Sequence, residues 1–163
     1  MPPLRLAVRM FERYTEEARR VLFYARYEAS QLGSYSIEGE HLLLGLMRRP
    51  QGLIRAIFDR AHLPLERISE GIATQSAGRP KVPTSVEIPF GDDVKRSLML
   101  AADEAELARD GDIGCEHLLL GLLRQPTSGA ASILLGYGLQ LEGVREAIAI
   151  IRRESAKGDV EGT

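Results

Sequence analysis

The residues whose types and spacing could do chemistry come in two copies. Glu40-His41 and Glu116-His117 each set a carboxylate beside an imidazole, and Cys115 stands directly before the second pair. Such residues could make a metal centre, a thiol nucleophile, or a carboxylate clamp for a cation. The spacing argues against the metal. Neighbours at i and i+1 diverge on a helix, and neither pair has a second His or Cys four residues on. His41 and His117 read instead as partly buried histidines bonding to a nearby carbonyl. Cys115 is the only cysteine, so no intrachain disulfide can form. It has no base in view and reads as a packing or capping residue, although a helix start can lower a thiol pKa. No Gly-Lys dipeptide occurs anywhere, which removes the phosphate-cradling loop of nucleotide hydrolases. With no nucleophile–base pair, metal set or cofactor loop, the expectation is a protein without catalytic residues, metal or cofactor.

The elements that carry these pairs are themselves duplicated. Glu40-His41-Leu42-Leu43-Leu44-Gly45-Leu46 recurs unchanged as Glu116-His117-Leu118-Leu119-Leu120-Gly121-Leu122, 76 positions later. The same offset, without a gap, pairs Arg20 with Arg96, Ala25 with Ala101, Glu28 with Glu104, Ile37 with Ile113, Arg48 with Arg124 and Leu65 with Leu141. A repeat of this kind decides the architecture. The predicted organisation is an N-terminal extension over 1–9, a first repeat over 10–74, a linker over 75–89, a second repeat over 90–156 and a flexible tail over 157–163.

Each repeat reads as four helices. Thr15, followed by Glu16 and Glu17, is a good N-cap, and Ala18, Val21, Leu22, Ala25 and Ala29 keep the stripe of an amphipathic helix up to Gly33. Further helices are predicted from Glu40 to before Pro50, from Leu53 to Arg60, and from Pro64, well suited to a first helical position, to Thr74. The copy predicts Asp92–Arg109, Glu116–Arg124, Ser128–Leu135 and Gln140–Glu154. The fold class is all-α, two four-helix repeats about a pseudo-two-fold axis. Gly45 and Gly121 cost about 1 kcal/mol each inside a helix relative to alanine. They imply close backbone approach by another helix, with the two motif helices central and meeting across the axis.

Composition excludes several classes. The chain has 163 residues, 44% of them hydrophobic, enough for one compact domain. A net charge of −2 offers no general attraction to nucleic acid or to an anionic membrane. No apolar run approaches the roughly 18 residues that span a bilayer, and the first nine residues do not make a signal peptide. The expected setting is cytoplasmic.

Arg13-Tyr14-Thr15-Glu16-Glu17-Ala18 followed by Glu-His-Leu-Leu-Leu-Gly-Leu in each half resembles the N-terminal domain of Clp ATPases, closest to the ClpC type, over about Met10 to Ile151. The resemblance implies a helical receptor for substrates and adaptor proteins. With no phosphate loop in the chain, it further implies a free-standing recognition domain that binds and does not hydrolyse ATP. It implies Clp ATPase or protease components, adaptors and substrate polypeptides as partners. In that family the glutamate before the histidine helps to bind phosphoarginine, which assigns that role to Glu40 and Glu116. A carboxylate can take a guanidinium through two parallel hydrogen bonds while helix N-termini and hydroxyls hold the phosphate. The family's Gly-Thr-Glu-His reads Glu38-Gly39-Glu40-His41 and Gly114-Cys115-Glu116-His117 here, so the threonine is missing from both. Thr15 matches the threonine at the start of the first helix. Its repeat mate is Gly91, where Lys95 could supply a cation. Glu38 adds a charge that would repel a phosphate, and the expectation is weak or absent binding of arginine-phosphorylated protein.

A second candidate is apolar. Met10, Phe11 and Tyr14, with Val86, Ile88 and Phe90 ahead of the second repeat, could gather at one end, either as a groove for partners or as staples of the chain ends. The leading functional expectation is a modulator of a Clp protease that binds substrates or adaptors. The alternative is sequestration of small cyclic-peptide ligands that target Clp ATPases.

Overall fold

The structure is a computed structural model that describes residues 11–161. Among the described residues it is all helical: α1 (Glu16–Gln31), α2 (Gly39–Arg48), α3 (Gly52–Arg60) and α4 (Leu65–Gln75) form the first repeat, and α5 (Asp92–Leu107), α6 (Cys115–Leu123), α7 (Gly129–Gly136) and α8 (Leu141–Glu161) the second. The first helix starts as its sequence dictates. The Thr15 Oγ1 accepts the Ala18 N–H at 3.1 Å, two acids occupy the first turn, and Ala18, Val21, Leu22, Ala25 and Ala29 are buried. Pro64 caps α4 from just outside instead of opening it, a one-residue shift common at helix ends.

The motif helices lie at the centre. Leu42, Leu43, Leu118 and Leu119 are fully buried. The two glycines serve close approach, but toward the first helix of their own repeat and not toward each other. A Cβ on Gly45 would stand 2.6 Å from the Val21 carbonyl oxygen, and one on Gly121 would strike the backbone of Ser97 and Ala101. The duplicated glycines therefore seat α2 on the backbone of α1, and α6 on that of α5.

The last helix departs most from expectation. It runs to Glu161, where the sequence predicts an end at Glu154 and a flexible tail after Ala156. Its far portion lies beside α3: Ile151, Ser155 and Ala156 face Gly52, Leu53 and Ala56 across a shallow groove. A neighbour from the other repeat supports turns that local propensity would let fray.

The segment after Gln75 is irregular yet tied down along α1. Val82 is buried, its N–H donates to the Ser30 carbonyl at 2.9 Å, and the Ser30 hydroxyl donates to its carbonyl at 2.6 Å. The Arg26 guanidinium donates to the carbonyls of Thr84 and Val86. Gly33, at φ +72°, lets this strap cross the end of α1, since a Cβ there would meet the Pro80 carbonyl oxygen at 2.5 Å.

The repeats are joined by an exchange of their leading segments. Tyr14 makes an isolated parallel bridge to Ile113, and Phe90 makes one to Ile37. The Thr15 N–H donates to the Ile113 carbonyl and the Ile113 N–H to the Arg13 carbonyl; the Gly91 N–H and Ile37 N–H repeat this with Ile37 and Pro89. Tyr14 and Phe90 are repeat mates, as are Ile37 and Ile113, so each repeat's lead-in is held by the other repeat's loop.

Candidate functional site

Each Glu-His pair opens a helix, and its histidine holds that start. The Nδ1 of His41 accepts the backbone N–H of Glu38 at 2.9 Å, and the Nδ1 of His117 accepts that of Gly114 at 2.9 Å. This replaces the expected bond to a carbonyl: three residues into the helix, the ring folds back onto a donor that the helix leaves unpaired. Nδ1 is thereby committed as an acceptor, which puts the proton of the neutral ring on Nε2. His117 Nε2 lies 2.8 Å from Asp110 Oδ2, and the repeat mate of Asp110 is Ser34, which has no carboxylate to offer His41. Burial pulls the His41 pKa below its ordinary value, with Glu38 acting upward and Arg79 downward. Among the described residues no group of three or more His, Cys, Asp or Glu could hold a metal ion.

The crossed lead-ins regroup the candidate residues. Thr15 sits against the loop that leads to Cys115 and Glu116, and Gly91 against the one that leads to Glu38 and Glu40. The sequence groups Thr15 with Glu40, and Gly91 and Lys95 with Glu116, by repeat; the fold swaps the partners. At the start of α5 the Glu38 carboxylate lies against Gly91, its Oε1 2.5 Å from where a Cβ would stand. It also accepts the Ser36 hydroxyl at 2.5 Å. Gly91 contributes no side-chain cap, so an acid from the other repeat covers that helix start. Lys95 is exposed one turn further on and makes no ion pair among the described residues.

The two glutamates do different things. Glu116 is largely buried: its carboxylate folds over Gly114 and lies 3.7 Å from the Arg152 guanidinium, which also reaches Asp110 at 3.2 Å. Glu40 points across to Gly129, the first residue of α7, and makes no side-chain hydrogen bond or ion pair among the described residues. Cys115 is buried, and its thiol is pushed up to about 12 by desolvation, with Glu116 and Glu17 adding to the rise. Burial and two acids outweigh the helix start, and the thiol is not poised as a nucleophile.

The apolar candidates act as staples on separate loops. Tyr14 is buried on Ile113, with Phe11 edge-on to its ring at 5.7 Å, and burial pushes its phenol up to about 12. Ile88 is buried and Phe90 half-buried near Ile37, while Val86 is exposed. Met10 lies outside the described residues. Ile88 also closes a notch of about 90 Å³ with Phe23 and Tyr27. Those two aromatics point outward from α1, off its buried stripe, and periodicity alone gave them no role.

Two larger grooves escaped sequence reasoning. One, of about 440 Å³, lies among α5, α6 and α8; the other, of about 490 Å³, among α1, α2 and α4. Glu104, Ala108, Leu120, Arg145 and Ala149 in the first match Glu28, Leu32, Leu44, Ser69 and Ala73 in the second at the repeat offset. The grooves are two-fold mates. In the second repeat Glu104 is buried and bonded to Arg145, with Arg124 at 3.6 Å, and Arg145 also reaches Glu142 at 2.6 Å. These carboxylates raise the Arg145 pKa, the hydrogen bond from Glu104 contributing most. In the first, Glu28 pairs with Arg48 at 3.2 Å, and the guanidinium lies over the rings of Tyr24 and Tyr27 at 5.1 and 4.8 Å.

The described residues thus form a duplicated helical bundle whose motif helices are capped by histidine and whose repeats each carry a groove. The sequence model of the Clp repeat (R) N-terminal domain family matches residues 13–137. The chain belongs to that family. It is 35% identical over 147 residues to the chloroplastic chaperone ClpC of Pisum sativum, covering 90% of this chain and 16% of that protein. It is 34% identical over 139 residues to ClpC/MecB of Bacillus subtilis, a negative regulator of genetic competence, covering 85% and 17%. The N-terminal domain of ClpD from Arabidopsis thaliana superposes with a TM-score of 0.66 at 26% identity, covering 86% of this chain and 97% of that one. The N-terminal domain of ClpV1 from E. coli shares the fold, with a TM-score of 0.73 at 18% identity and 91% of both chains covered. The chain spans 16–19% of the length of the curated relatives it matches. No helix among the described residues is long and apolar enough to cross a membrane.

Proposed function

We propose that this domain is a non-catalytic docking module that modulates a cytoplasmic Clp protease by binding its substrates or adaptors. The observation that carries the reading is the pair of open, two-fold related grooves on a Clp N-domain bundle, each with an apolar floor and a charged rim. A related N-domain of the same fold, that of ClpV, has been captured in complex with a VipB peptide, which supports polypeptide as the ligand class. The chemistry of the motif residues supports a binding role: the Cys115 thiol is protonated, and His41 and His117 are engaged in capping. The test is a pull-down from the native cytoplasm with the tagged chain. Recovery of a Clp subunit, an adaptor or a degradation substrate is expected; recovery of none of the three would sink the proposal.

Arginine-phosphorylated protein binds this domain weakly or not at all. The Glu38 carboxylate already covers the start of α5 and would repel a phosphate there, and Glu116 is engaged by Arg152. Calorimetry with phosphoarginine is expected to give little or no heat. Tight binding lost on Glu40→Gln and Glu116→Gln would reverse this conclusion.

A further inference from the structure

The two grooves are each other's reference, because the repeat offset says which residue of one answers to which of the other. In the second repeat the chain neutralises the acids of its own groove rim: the Arg145 guanidinium bonds to Glu104 and to Glu142. In the first repeat both acids are retained, as Glu28 and Glu66, but the position of the arginine is Ser69. Arg152, the second guanidinium lining that groove, is answered by Ser76. Glu70 stands one turn beyond Glu66 on the same rim, and neither acid makes a side-chain ion pair among the described residues. Among the described residues, Arg48, bonded to Glu28, is the single cation lining the groove with these three carboxylates. Like charges at i and i+4 repel, so the rim is favoured by an arriving cation. Below it lie Leu32, Leu44, Met47 and Leu65.

We propose that the groove among α1, α2 and α4 receives an unmodified arginine side chain of a partner polypeptide, which takes the place that Arg145 takes in the second repeat. The guanidinium bridges Glu28 and Glu66, and an apolar residue beside it in the partner covers Leu44 and Met47. The occupant is therefore a segment with arginine flanked by leucine-like residues. Its charge complements the rim, and its geometry is the one the chain adopts with itself 76 positions on. This site is separate from the helix starts at Glu40 and Glu116. It deepens the docking function and rests on it for the partner's identity alone.

The experiment is fluorescence anisotropy of a labelled Gly-Leu-Leu-Arg-Leu-Gly peptide, blocked at both ends, titrated with the full chain, beside its twin with glutamine for arginine. The arginine peptide is expected to bind at least about tenfold tighter than its twin, the margin of a charge-assisted bidentate contact. Ser69→Arg, which sets a guanidinium on the rim acids as Arg145 does in the second repeat, is expected to abolish binding, and amide shifts in the wild-type chain should centre on residues 65–73. Equal affinity for the two peptides, unchanged binding by Ser69→Arg, or shifts confined to the helix starts would overturn the proposal. Should Ser69→Arg fail to fold by circular dichroism, Glu66→Lys at an exposed position decides instead: binding must vanish, and its persistence refutes the site. Capture of Clp components by a domain that ignores both peptides would overturn the arginine site and leave the docking function standing. Selective peptide binding without such capture would do the reverse.

Discussion

Alanine in place of Gly45 and of Gly71 should move stability in opposite directions, although both glycines lie inside helices. A Cβ on Gly71 in α4 meets nothing within 4 Å, so Gly71→Ala gains helix propensity at no steric cost, about 0.5–1 kcal/mol. A Cβ on Gly45 stands 2.6 Å from the Val21 carbonyl oxygen and 3.2 Å from the Ala25 nitrogen, both backbone atoms that no rotamer change can move. Restoring an ordinary contact of about 3.4 Å requires α2 to retreat from α1 by about 0.8 Å. A radial gap of that size forfeits roughly a quarter to a half of the dispersion well along the seam, and overpacking of this kind costs about 1–3 kcal/mol, with a clash against backbone at the upper end. The propensity gain returns about 1 kcal/mol, leaving a net loss of about 2 kcal/mol. Urea denaturation followed by circular dichroism measures both variants, and a loss of 2 kcal/mol lowers Tm by roughly 4–8 °C at this chain length. Gly45→Ala matching or exceeding the wild type would refute the claim that the glycine is kept for backbone approach, and with it the account of the duplicated motif. Gly121→Ala should behave as Gly45→Ala does.

Three further outcomes follow from the same geometry. Cys115, with its thiol near 12 and buried, should resist iodoacetamide at pH 8 in the folded chain and react on denaturation; stoichiometric labelling of the native state would contradict its burial. The His41 pKa is lower in the folded chain than its ordinary 6.5, so the unfolded chain binds the extra proton first. Stability from this group is complete above about pH 6.5 and is lost as pH falls below it, so the fall in unfolding free energy from pH 7 to pH 5 should be shallower in His41→Gln. Gly33→Ala forces a side chain into the left-handed region and onto the Pro80 carbonyl, and should cost at least about 1 kcal/mol, with faster amide exchange along residues 79–82; unchanged exchange would disprove the strap contact.

Much of the fold is legible in the chain because it is written locally and twice. The stripe of Ala18, Val21, Leu22, Ala25 and Ala29 specifies α1 by its period, and Thr15 specifies where it starts. The copy fixes the corresponding start at Asp92, and the ungapped offset fixes the four-helix count of each half. The end of α8 was not legible, because its last turns have little apolar pattern of their own and lie beside α3. The site was legible only in its ingredients. Glu40, Glu116 and Thr15 stand out by type and spacing, but which glutamate meets which helix start depends on the crossing of Tyr14 onto Ile113 and Phe90 onto Ile37. Asp110 and Arg152 carried no motif, and their role with His117 and Glu116 exists only once α8 packs on α6.

The sequence by itself determined the helices, their duplication and the family, since periodicity, caps and a repeated heptapeptide are short-range and survive without knowledge of packing. Tertiary structure alone decided that Glu38 covers the other repeat's helix, that among the described residues Glu116 is engaged while Glu40 is not, and that Arg145 pairs with the rim acids of one groove while its mate has Ser69 at that place. The physical reason is reach. A helix start is decided within about four residues, whereas a carboxylate's partner is whatever the packing of distant helices places within about 4 Å of it.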